Sequence, residues 1–149
     1  MTAMELARYV ICYANMNNKP ISHLKLQKIL YFVFGAFLKR FNTFLFQEKF
    51  EAWPYGPVIR EVYIQYCANG AMPLYEDENS ISLCDQICEE GRELINHEIE
   101  VCLSKTARKL VQATHDEGPW TLHKNEVEHG MKPVITDDEM RSYFLGEKR

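Results

Sequence analysis

The segment from about residue 23 to residue 41 constrains the fold most, because a helix built from it has no polar face. Its apolar side chains are Leu24, Leu26, Ile29, Leu30, Phe32, Val33, Phe34, Phe37 and Leu38. A helix that is apolar on all sides must be buried on all sides, and Ser22 is suited to cap its start. We predict a central helix over about 23–41. Lys25, Gln27 and Lys28 lie in its first two turns, so that end should reach the surface or a polar pocket.

Further helix signals flank this segment. Thr2 and Glu5 form a capping box, and Thr136 begins a second one. Asp85 and Ser104 are candidate caps of two more helices. The sequence predicts a mainly α, single compact domain over residues 1–149, with about six helices around the central one. Neither a repeat nor a linker indicates a second domain.

The pattern changes between Asn42 and Trp53, where short apolar pieces surround a polar centre. They predict a minor β-hairpin or extended element near residues 44–53. A rigid turn follows at 54–57. Pro57 suits the first position of a third helix that Gly70 would end, and residues 72–83 are predicted as a loop.

Charge is unevenly distributed along a chain whose net charge is −4. Without a Lys/Arg cluster, nucleic acid is not expected as the main ligand. Residues 76–100 carry nine acidic residues and one basic residue. They form either a solvated helix face or a surface for a basic protein partner.

The longest apolar run, residues 29–38, is too short to cross a membrane, and the N-terminus lacks the pattern of a signal peptide. We therefore expect a cytoplasmic protein with no membrane partner. The cysteines are expected to be reduced there. Cys84 and Cys88 lack the paired spacings of a zinc site, so we predict neither a metal nor a cofactor.

No phosphate-binding or hydrolase motif is present, and we predict that the chain is not an enzyme. The nearest catalytic pattern is His115 among the acidic residues of the 114–117 segment, with Cys67 or Cys102 as a nucleophile. The alternative is that His115 ends a helix and hydrogen-bonds exposed carbonyls or a loop.

Trp53 and Tyr55 either pack on the core or anchor a partner.

Three stretches, taken together, resemble the Panacea or SocA-like antitoxin domain, which also occurs in phage and mobile-element proteins. They are residues 26–32 (LQKILYF), residues 50–58 (FEAWPYGPV), and His115 with Pro119 and Trp120. The order and spacing match from Ala7 to Phe144. The resemblance implies an α-rich antitoxin that neutralises a toxin, encoded by an adjacent gene, through direct protein contact. Delivery of that toxin to a cytosolic AAA+ protease is the alternative it leaves open.

The family motif also implies which residues bind the partner. They are Gln27, Lys28, Tyr31, Trp53, Tyr55, Gly56, Pro57, His115, Pro119 and Trp120. We expect the toxin to dock near the 53–57 turn and the start of the central helix, with the acidic 76–100 segment as the alternative surface. Pro54 departs from the variable, often polar residue expected there. A DNA-binding extension is absent from the sequence.

Overall fold

A computed structural model describes residues 1–146 of the chain, and most of them are helical. The α-helices in this range are α1 (Ala3–Met16), α2 (His23–Phe41), α3 (Arg60–Tyr66), α4 (Glu89–Leu103), α5 (Ala107–Asp116), α6 (Lys124–Glu128) and α7 (Asp137–Leu145). Short 3₁₀ helices cover Cys67–Asn69, Glu78–Gln86 and Pro119–His123. The prediction of a mainly α fold is confirmed.

Helix α2 is the centre of the fold, as its apolar pattern predicted. Ser22 caps its start through a hydrogen bond from the Lys25 amide, and Asn42 ends it in a left-handed conformation. Helices α1, α3, α4, α5 and α7 all pack against it. Phe34 contacts Phe46 and Phe50 at ring-centroid distances of 4.9 and 5.4 Å, so the segment after α2 folds back onto its apolar surface.

The β element lies later in the chain than predicted. Strands β1 (Glu51–Trp53) and β2 (Gly56–Val58) form an antiparallel hairpin in which Trp53 pairs with Gly56. Residues 44–50 lie outside any strand, and their phenylalanines pack on α2. Pro57 is part of β2 and does not begin a helix, since α3 starts only at Arg60.

The capping boxes at Thr2 and Thr136 are confirmed, but two other predicted helix starts are wrong. Cys88, rather than Asp85, caps α4, and its sulfur accepts from the Gly91 amide at 3.4 Å. Thr106, rather than Ser104, caps α5. Asp85 instead lies in the Glu78–Gln86 3₁₀ helix, part of which was predicted as loop.

Helix α7 approaches α2 at Gly35, where a Cβ atom would lie 2.3 Å from the Phe144 ring. We therefore expect Gly35→Ala to lower the free energy of unfolding by about 1–3 kcal/mol, since overpacking displaces the ring. In a Phe144→Ala background the same substitution should be neutral or stabilising, because alanine is the better helix former. Urea denaturation of the four proteins measures this coupling. Equal effects of Gly35→Ala in both backgrounds would contradict the close packing.

Candidate functional site

The hairpin is fixed to the rest of the fold on both sides. Beside β1, the Ala52 amide donates to the Pro133 carbonyl at 2.8 Å. The Trp120 indole donates to the Trp53 carbonyl, also at 2.8 Å. The proline at each side of the turn, Pro54 and Pro57, further restricts its backbone. The turn is consequently a rigid projection of the fold.

Two polar side chains of α2, Gln27 and Lys28, form hydrogen bonds with the backbone at the end of this hairpin. We call these two residues the polar clamp. The Ile59 amide donates to Gln27 Oε1 at 2.8 Å, while Gln27 Nε2 donates to the Ile59 carbonyl at 3.2 Å. Lys28 Nζ donates to the Pro57 carbonyl at 3.1 Å. Backbone groups that leave β2 are thereby satisfied by side chains, as buried backbone groups must be.

Lys28 is fully buried, which corrects the expectation that it helps to form an exposed docking face. Burial lowers the pKa of Lys28 to about 7, from 10.5 for an unperturbed lysine. Among the residues that the structure describes, no carboxylate forms an ion pair with it. Because a buried lysine without a counter-charge is costly to protonate, the neutral amine is favoured here.

Gly56 provides the space for this arrangement. A Cβ atom at Gly56 would lie 2.7 Å from Thr114 Oγ1 and 3.0 Å from Lys28 Nζ. The residue also has a φ of 114°, which favours glycine. Any other residue at this position would collide with the groups that support the hairpin.

His115 lies in the last turn of α5 and stacks on the Trp120 indole, with ring centroids 4.0 Å apart and an interplanar angle of 10°. Its Nε2 atom is buried and has no hydrogen-bond partner within residues 1–146. Burial and then the nearby Lys28 lower the pKa of His115, which favours the neutral imidazole. His115 thus packs between the hairpin and the Pro119–His123 helix.

The exposed part of the motif is small. Tyr55 is 65% exposed at the tip of the hairpin. Trp53 is partly buried beside Tyr63, and Lys132 Nζ lies 4.3 Å from its ring centroid. The remaining predicted site residues are buried or, for His115, partly buried: Gln27, Lys28, Tyr31, Gly56, Pro57, His115, Pro119 and Trp120.

Most of the predicted site residues fall into two groups. Gln27, Lys28, Gly56, Pro57 and His115 meet beneath the hairpin, with Trp53 and Trp120 joined to them through the bond described above. Tyr31 lies apart from the clamp, within an aromatic cluster that includes Phe50 and Phe144.

Sequence reasoning missed three contributors to this region, Thr114, Glu51 and His123. The Thr114 hydroxyl lies against Gly56, and Glu51 binds both Arg60 and the Trp53 indole. The alternation of Glu51 and Trp53 along a strand could have indicated the second contact. The His123 imidazole lies between two carboxylates, with Nε2 at 2.6 Å from Glu139. Nothing in the local sequence indicates the pairing with Glu139.

The sequence model described as "Antitoxin SocA-like, Panacea domain" matches residues 26–121, a range that contains most of α2, the hairpin, α5 and Trp120. The chain belongs to the SocA-like antitoxin family. A relative, Antitoxin SocA of Caulobacter vibrioides (strain NA1000 / CB15N), is 36% identical over 115 residues. The match covers 71% of this chain and 61% of that relative. No solved structure matches the chain.

Most of the predicted motif residues within the matched range are buried. In this member, burial raises the pKa of the Cys102 thiol to about 12, which disfavours the thiolate that a nucleophile requires. The Cys67 thiol contacts the Ile64 carbonyl.

Within residues 1–146, no cluster of three metal-ligating side chains occurs, and no helix is both long and apolar enough for a bilayer.

The buried lysine of this SocA-like domain makes stability dependent on pH. Between about pH 7 and 10 the unfolded lysine keeps its proton and the folded one loses it, so the free energy of unfolding should rise with pH. The variant Lys28→Met has no titratable side chain at this position. From pH 7 to pH 10, the free energy of unfolding of wild type should therefore rise by roughly 2–4 kcal/mol relative to that of Lys28→Met.

Urea denaturation at pH 6 to 10 measures this difference. Lys19→Met, at an exposed position, is the matched control and should parallel wild type at every pH. Parallel curves for wild type and Lys28→Met would contradict the burial of a neutral lysine.

Proposed function

We propose that this chain is an antitoxin that neutralises a protein toxin by direct contact, without catalysing a reaction. Membership in the SocA-like antitoxin family is the observation that carries the proposal. The burial of the motif's polar groups supports it. The polar groups of Lys28 and Gln27 bind the hairpin backbone, and both residues are buried away from any substrate.

The tip of the hairpin is the part of the motif suited to meet the toxin. Tyr55 is exposed on a turn that two prolines and the polar clamp make rigid. Aromatic side chains on rigid backbone bind well, since they bury a large area and lose little conformational entropy on binding. This division supports a scaffold role for the clamp residues and a recognition role for Tyr55.

Co-expression with the product of the adjacent gene tests the antitoxin role. We expect that product alone to arrest growth, and we expect co-expression to restore growth with a stable complex recovered by pull-down. Restored growth with loss of the toxin protein and no recoverable complex would contradict direct neutralisation and favour delivery to a protease. Absence of toxicity would contradict the antitoxin role.

Tyr55→Ala should weaken binding of the toxin at least tenfold and reduce growth rescue, while the melting temperature stays within about 1–2 °C of wild type, because exposed side chains add little stability. Isothermal titration calorimetry and thermal denaturation measure the two effects. Tyr75→Ala is the matched control, because Tyr75 is 69% exposed in a different part of the fold. Equal binding by wild type and Tyr55→Ala would exclude the hairpin tip from the interface.

A further inference from the structure

A groove lies along α2 on the side where its neighbours diverge. Helices α4, α5 and α7 each pack on α2 but contact one another only marginally. The resulting depressions share walls, and the one between α4 and α5 encloses about 250 Å³. Their apolar lining comes from Phe32, Ala36, Val101, Leu110, Ala113 and Phe144.

The floor of this groove has the geometry of a helix-packing surface. Phe32, Ala36 and Lys39 follow one another at spacings of four and three residues, so they form one stripe along α2. Phe32 and Ala36 are only partly buried. Between Lys109 and Glu117 the α5 wall runs for about 12 Å, which corresponds to a little over two helical turns.

Charges are unevenly distributed along the same groove. Lys105 and Lys109 lie at the end where α5 begins, and Asp116 and Glu117 lie at the end where it finishes, with Lys39 in the same depression as Glu117. Glu98 lies between them on the α4 wall, half-buried and without an ion-pair partner among residues 1–146. A bound segment therefore meets an excess of carboxylates at one end and two ammonium groups at the other.

From this geometry we infer that the groove binds an amphipathic helix of the toxin, placed antiparallel to α5. The apolar side chains of that helix pack on Phe32 and Ala113. Its N-terminal half, which carries basic side chains, faces Asp116, Glu117 and Glu98, and its acidic C-terminal turn faces Lys105 and Lys109. The helix dipole favours the same orientation, because its N-terminus is positive. This inference rests on the proposed antitoxin function and adds a second contact surface to the hairpin tip.

Blocking the groove tests the inference on the full chain, with the purified product of the adjacent gene as the probe. Ala113 is exposed, so Ala113→Arg fills the groove without removing core packing. We expect it to lower affinity for the probe at least tenfold. Ala71→Arg is the matched control, since it makes the same substitution at an exposed position outside the groove. It should bind within twofold of wild type.

Charge reversal tests the orientation of the charges. Glu98→Lys should lower affinity at least threefold, because it places a positive group against basic side chains of the bound helix. Glu93→Lys makes the same change on α4, about 140° around the helix from Glu98, and should leave affinity unchanged. Circular dichroism of all four variants checks that each is folded.

The outcomes separate the two proposals. A wild-type chain that does not bind the probe overturns the antitoxin function and this inference with it. Binding by wild type and by Ala113→Arg with equal affinity overturns the groove alone. A wild-type dimer in light scattering that Ala113→Arg converts to monomers would assign the groove to a second copy of the chain, and would likewise overturn the inference.

Discussion

The whole structure depends on the burial of one helix, α2, most of whose side chains are apolar. Helix α2 excludes water on every side where α1, α3, α4, α5 and α7 pack. Two of its polar side chains, Gln27 and Lys28, are buried too and cannot bond to water, so they need partners from elsewhere in the chain. The backbone of Pro57 and Ile59 supplies them, and this pairing fixes the hairpin on the core.

The sequence was most informative where a local pattern carried the structural signal. The bounds of α2 were predicted at both ends, because Ser22 and an all-round apolar pattern are local features. Cys88 was missed as the cap of α4, since cysteine is not among the usual capping residues. The hairpin was placed too early because phenylalanines at 44–50 resemble a strand, whereas tertiary packing on α2 determines their conformation.

The candidate site was predictable as a set of residues but not as an arrangement. The resemblance selected Lys28 and Tyr55 alike, and the structure gives them opposite environments, one fully buried and one exposed. A lysine is normally exposed, and only a carbonyl 29 residues away explains its burial here. The buried residues of the motif therefore stabilise the hairpin, whereas Tyr55 at its tip is exposed to solvent.

Hydrogen exchange at the Ile59 amide tests the central claim that the polar clamp fixes the hairpin. In wild type this amide is bonded to Gln27 and should exchange as slowly as the buried amides of α4. Gln27→Ala should accelerate exchange of Ile59 and Gly56 at least tenfold and leave α4 unchanged, which also shows that the variant is folded. Exchange of Ile59 in wild type at the rate of an exposed loop, or no acceleration in the variant, would contradict the account.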